Sequence, residues 1–114
     1  MTPFDRGAVL LVTFPFTNLL GGKKRPVIVV SSGEFAERYG DRVVVALTSS
    51  SQNDDSLRLE DWQDAGLLKP TWIKPLIGTV ALSTVERHLG TLSERDMRRV
   101  WDALNAIVPR DYPQ

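Results

Sequence analysis

Cysteine is absent from this chain of 114 residues, and histidine occurs once, at His88. Without cysteine there is no disulfide, no thiolate metal site and no thiol nucleophile. A single histidine excludes a zinc site built from the usual His and Cys ligands of one chain. A Ser-His-Asp triad would have to be built on His88 alone. No apolar run approaches the roughly 20 residues that a membrane-spanning helix needs. The start, "MTPFDRG", lacks a basic segment leading into an apolar stretch. The expectation is one cytoplasmic domain over residues 1–114, with no membrane span and no thiolate or His/Cys zinc site.

Net charge is also missing. Fourteen basic residues balance fourteen acidic ones, whereas a dedicated nucleic-acid binder is usually basic overall. The distribution is less even than the total. Residues 1–31 carry Arg6, Lys23, Lys24 and Arg25 against Asp5, a net +3. Residues 51–66 carry Asp54, Asp55, Glu60, Asp61 and Asp64 against Arg58, a net −4. A local basic cluster suits a short anion. It does not suit long duplex DNA, which demands many phosphate contacts.

What is present is a series of short apolar runs followed by one amphipathic stretch. "AVLLVTF" (8–14), "PVIVVSS" (26–32) and "RVVVALTS" (42–49) read as largely buried strands. "GEFAERYG" (33–40) has room for a helical turn or two. A short strand is expected near Leu57–Leu59. "TWIKPLIG" (71–78) reads as a strand that Pro75 confines to an edge or a bulge. "TVERHLGTL" (84–92) reads as a last strand. Ser93 is a good N-cap with Asp96 in the capping-box position. Met97, Val100, Trp101, Leu104, Ile107 and Val108 fall on one helical stripe, which assigns Trp101 to the core. Many strands and one C-terminal helix suggest a small β-barrel packed by that helix.

The stretch "NLLGGKKRPVIVV" (18–30) is the most suggestive for function. It follows Pro15 in a connection longer than ordinary hairpin loops. Arg25 presents planar, forked donors that match phosphate oxygens, and Pro26 restricts it to extended backbone. Lys23 and Lys24 add attraction at longer range, and Gly21 and Gly22 allow a tight turn. The same charges would also serve simply to keep a loop end in water. Thr48 ends an apolar strand and opens a hydroxyl run through Ser49 and Ser50. Such groups either bond phosphates and base edges or form a turn. His88, between Arg87 and Leu89, reads as a surface residue. Trp62 and Trp72 are open to core, interface or base-stacking roles. Leu19 and Leu20 form an unexplained apolar pair at a loop tip.

Together, "RGAVLLVTFPFTNLLGGKKRPVIVVSS", "YGDRVVVALTSS", "AGLLKPTWIKP" and "RHLGTLSERDMRRVWDAL" resemble the PemK/MazF family of toxins from bacterial type II toxin–antitoxin systems. The resemblance runs in order from about Arg6 to Leu104. It implies a mainly β fold, an SH3-like barrel with an amphipathic C-terminal helix, usually in a homodimer. It also implies an endoribonuclease that cuts single-stranded RNA at short sequences without a metal and is neutralised by a cognate antitoxin. On the family's motifs, Arg25 and Thr48 take the catalytic positions. Lys23, Lys24, Thr17, Ser49 and Ser50 are then expected to contact RNA. The chain departs from the family pattern at Ala8, where an acidic residue usually follows the opening "RG", and at Leu19 and Leu20. The competing expectation is a non-catalytic SH3-like module, such as a toxin that poisons gyrase by binding it.

Overall fold

A computed structural model describes residues 4–13 and 24–111. Five strands form one antiparallel sheet: β1 (Ala8–Thr13), β2 (Lys24–Val29), β3 (Asp41–Thr48), β4 (Trp72–Ala81) and β5 (Val85–Thr91). Helix α1 (Gly33–Tyr39) links β2 to β3, and helix α2 (Glu94–Ile107) closes the chain. The strand order is β4-β3-β2-β1-β5. Five of the six expected strands are therefore present, with β2 beginning at Lys24 and ending at Val29.

Alternation along the central strands divides the apolar side chains between two faces. On one face Val9, Ile28, Val45, Leu47 and Ile73 pack against Val100 and Ala103 of α2 and against Leu59, Ala65 and Leu67 of the β3–β4 connection. On the other, Leu10, Val12, Val27, Val29, Val44 and Ala46 form a second cluster. Val80 of β4 and Val85 of β5 join that second cluster. Residues of both edge strands thus meet on one core, which requires the sheet to curl. Edges β4 and β5 are not paired to each other, so the expected barrel is an open, curled sheet rather than a closed one.

Proline chemistry explains two local features. The pairing of β3 with β4 jumps from Val45↔Ile77 to Ala46↔Lys74, leaving Pro75 and Leu76 outside the register. Pro75 thus lies in a bulge on an edge strand, where its missing N–H breaks no ladder bond. Pro26 pairs with Leu11 of β1, but the β2–β3 ladder covers only Val27 to Val29. A residue without a donor marks the point where that ladder stops.

Three expectations are corrected. The strand near Leu57–Leu59 is a one-turn 3₁₀ helix at Asp55–Leu57, capped by Asp54, followed by a single bridge from Arg58 to Trp72. Asp54 accepts from Ser56 N–H and stabilises the turn locally, which outweighs the apolar–polar alternation of Leu57, Arg58 and Leu59. Trp101 is 43% exposed and is not core. The buried face of α2 is centred on Asp96, Val100 and Ala103, with Met97 and Leu104 half-buried. Ile107 and Val108 are exposed beyond it. Asp96 does not close a capping box. Ser93 caps the helix as expected, while Asp96 is fully buried and turns to another segment.

That segment is Glu60–Asp61. One Asp96 carboxylate oxygen accepts from Glu60 N–H at 2.8 Å and the other from Asp61 N–H at 2.8 Å. The Asp61 carboxylate in turn accepts from Ser93 Oγ at 2.6 Å and from both arms of Arg95 at 2.7 Å. The start of α2 and residues 60–61 are stapled together. The chain then runs through a turn to Gly66, whose backbone lies directly against the Leu89 carbonyl.

A cationic cavity between strands β2, β3 and β5

Beyond Pro26 the strands β2 and β3 part, and a cavity of about 360 Å³ opens there. Its floor is apolar, from Leu11, Pro26, Leu47, Leu67 and Leu89. Its polar walls are Lys24 and Arg25 from β2, Thr48, Ser49 and Ser50 from the end of β3, Lys69 and Thr71 from the connection, and Arg87 from β5. Among the described residues four cations line it and no carboxylate or imidazole does. Other hollows are larger, such as one of about 550 Å³ along Trp101, Leu104 and Val108. That hollow gathers one cation, Arg110, with Asp102 opposing it, so it lacks the concentrated charge of the first.

Arg25 and Thr48 belong to the same wall. Val27 pairs with Ala46. Arg25 and Thr48 each lie two residues beyond that pair in opposite chain directions, so alternation puts them on a common sheet face. Arg25 is half-buried. Among the described residues its guanidinium has no hydrogen-bond or ion-pair partner. An anionic ligand in the cavity would give this guanidinium a partner. Thr48 is buried, and its Oγ1 accepts from Ser50 N–H at 3.1 Å. That bond fixes the hydroxyl as a turn former and leaves its own proton available to donate. The two expectations for Thr48, turn and ligand contact, are compatible. Ser49 and Ser50 are exposed at the rim.

Lys24 is exposed and lies 3.8 Å from Glu86, a loose surface pair that holds little energy. Arg87 and Lys69 were not singled out by sequence. Arg87 enters because β5 pairs with β1 at Leu11↔Arg87, while Leu11 also pairs with Pro26. Strand β1 thus carries Arg25 and Arg87 on its two sides. The signal lies in "VERHL" (85–89), where Arg87 stands beside His88. His88 is indeed exposed, its ring tilted 56° to that of Phe4 with centroids 5.4 Å apart. Trp62 packs on the core edge, and Trp72 is half-buried with Arg58 over its ring at 5.9 Å. Neither lines the cavity. Thr17, Lys23, Leu19 and Leu20 lie outside the described residues. Ala8 is buried in the second core cluster, away from the cavity. A carboxylate there would face apolar side chains.

Among the described residues no three His, Asp or Glu side chains gather as a metal site, and no helix is long and apolar enough to cross a membrane. Among curated proteins none matches the chain. Solved structures do. An endoribonuclease in complex with its cognate antitoxin, from a mycobacterial species, is 20% identical with a TM-score of 0.74, over 96% of this chain and 98% of that one. A MazE–MazF structure from Deinococcus radiodurans is 15% identical with a TM-score of 0.73, over 94% and 97%. The Mycobacterium tuberculosis toxin MazF-mt6 is 14% identical with a TM-score of 0.73, over 92% and 99%. At these identities the likeness is one of fold. The family itself is carried by sequence, since residues 5–108 match the PemK-like, MazF-like toxins. With that match spanning every strand and both helices, the chain belongs to the PemK-like, MazF-like toxin family of type II toxin–antitoxin systems.

Proposed function

We propose that this toxin is an endoribonuclease that cuts single-stranded RNA at a short sequence without a metal ion, and that a cognate antitoxin neutralises it. One observation carries the reading: among the described residues, an Arg25 guanidinium without a partner and the Thr48 hydroxyl share one cavity with three further cations and no acid. Single-stranded substrate fits a cavity at a sheet end, because its bases can be splayed out and read.

The chemistry follows from what these groups can do. The substrate's 2′-hydroxyl attacks the adjacent phosphorus, and the bond from phosphorus to the 5′-oxygen breaks. The proton lost by the 2′-hydroxyl is balanced by one gained at the leaving 5′-oxygen. The products are a 2′,3′-cyclic phosphate and a 5′-hydroxyl. Arg25 donates to the non-bridging oxygens where negative charge grows in the transition state. Thr48, held by Ser50 N–H, donates its hydroxyl proton to the phosphate. Lys24, Lys69 and Arg87 hold neighbouring phosphates, with Ser49 and Ser50 at the rim. Lys23 and Thr17 extend the contacts along the first loop. The protein works as a homodimer in the cytoplasm, and an antitoxin with acidic and apolar side chains fills the same cavity.

The test is cleavage of a long single-stranded RNA in excess EDTA by the wild type and by Arg25→Ala. The wild type should cut and the variant should not. A 2′-deoxy sugar at the mapped cut position should block the reaction there. Cleavage at that sugar would overturn the 2′-hydroxyl mechanism. A folded wild type that cuts no RNA would leave a binding module instead.

A further inference from the structure

Leu68 is 90% exposed, yet it lines the cavity that holds Arg25 and Thr48. A lone exposed leucine is ordinary. This one is held in place. Leu67, before it, is buried in the core. Gly66 is wedged against Leu89, and the Thr71 hydroxyl donates to the Lys69 carbonyl at 2.8 Å. Leu68 cannot turn inward without drawing Leu67 out. The fold therefore presents an apolar side chain at the mouth of a cavity whose charged residues, among those described, are all cations. Charge complementarity requires an anionic occupant, and the adjoining apolar tip suits a flat, weakly polar ring. A nucleotide combines both.

We propose that Leu68 is a specificity-determining contact for RNA. It supports the base of a nucleotide beside the scissile phosphate, while Lys69 holds that nucleotide's phosphate. This rests on the endoribonuclease reading above. An apolar contact on an anchored backbone discriminates between bases because their rings cover different areas of it, and a backbone already held in place pays little ordering entropy on binding.

Leu68→Ser is a clean probe, because removing a side chain this exposed leaves the core intact. Cut sites are mapped on a long RNA for the wild type, Leu68→Ser and Lys69→Ala. Affinity for a short RNA carrying the wild-type cut sequence is measured in the Arg25→Ala background. Leu68→Ser should relax the base preference at one position of the cut sequence and weaken binding about fivefold, the effect of losing a small apolar contact. Lys69→Ala should leave the cut sequence unchanged and reduce the salt slope of log affinity by about 0.7. An active Leu68→Ser with an unchanged cut map and unchanged affinity overturns the inference alone. A wild type that cuts no RNA overturns the endoribonuclease reading and this inference with it. Unchanged RNA behaviour with weakened binding of an Asp- and Glu-rich amphipathic peptide also overturns it, and assigns Leu68 to a protein partner.

Discussion

Arg25 and Thr48 stand on neighbouring strands at the point where the ladder between those strands has stopped. Pro26 has no N–H to continue the ladder, so the backbones separate and leave a cavity instead of a sheet. The two residues that sequence marked for catalysis are thereby brought to one wall of it.

Their contributions separate by substitution. Thr48→Val keeps the shape but removes the hydroxyl and the acceptor for Ser50 N–H. It should cost about 1 kcal/mol of stability and slow RNA cleavage by about 100-fold. Thr48→Ser should retain most of both. Arg25→Lys keeps the charge but not the fork, and should fall between wild type and Arg25→Ala. Single-turnover cleavage rates beside thermal melts distinguish lost chemistry from lost fold.

The Asp96 carboxylate holds the N–H groups of Glu60 and Asp61. Asp96→Ala leaves both donors without their partner in a buried place. At about 1–3 kcal/mol for each donor, it should be among the most destabilising single changes at a polar residue. Asp96→Asn keeps one carbonyl acceptor and should cost less. Urea unfolding of the three proteins measures the order. If Asp96→Ala unfolds at the wild-type midpoint, the staple contributes nothing.

Acid should loosen the same region. The paired Arg95 guanidinium, and next the Ser93 hydroxyl, hold the Asp61 carboxyl well below the usual carboxylate range. A group whose pKa is lowered by folding stabilises the fold above its unfolded value, near 3.9. That contribution is lost as pH falls from there toward the folded value. Stability of the wild type should therefore drop between about pH 5 and pH 2. Asp61→Asn should give a shallower decline over the same range, read from urea midpoints at each pH. Equal slopes would show that the pair does not couple to folding. Because Arg95 is largely exposed, added salt should weaken the effect.

Gly66 and Gly40 both have positive φ, at 82° and 78°. A Cβ on Gly40 would meet open space, whereas one on Gly66 would run into the Leu89 carbonyl. Gly40→Ala should cost about 1 kcal/mol from backbone strain alone. Gly66→Ala carries the same strain plus displacement of β5 or the turn, and with it Arg87 or Leu68. Its unfolding midpoint should be clearly lower than that of Gly40→Ala, and its RNA cleavage should be impaired while Gly40→Ala cleaves normally.

Much of this was legible along the chain. Continuous short apolar runs marked the strands, because a strand buried on both faces has few polar positions to spare. Ser93 marked the start of α2 through its side-chain bond to Asp96 N–H. Pro75 marked an edge or bulge, and both hold. The errors share a cause. Trp101 lies on the apolar stripe, but α2 meets the sheet along Val100 and Ala103, so one flank of the stripe is left in solvent. Asp96 occupies the capping-box position, but two unpaired N–H groups from residues 60 and 61 compete for it and win. A helical pattern gives angular spacing and not the width of the surface that will cover it.

The sequence by itself determined the five strands of the sheet, where α2 begins, the absence of thiol chemistry and the identity of Arg25 as a cation fixed beside a proline. These are local properties, set by side-chain period, backbone restriction and composition. Only the tertiary structure decided that Arg25, Thr48, Lys69 and Arg87, drawn from three strands and a connection, line one cavity. It also decided that Leu68 stands at the mouth of that cavity. Those proximities depend on strand order and register, and on where Pro26 ends a ladder, none of which is a property of any short stretch of chain.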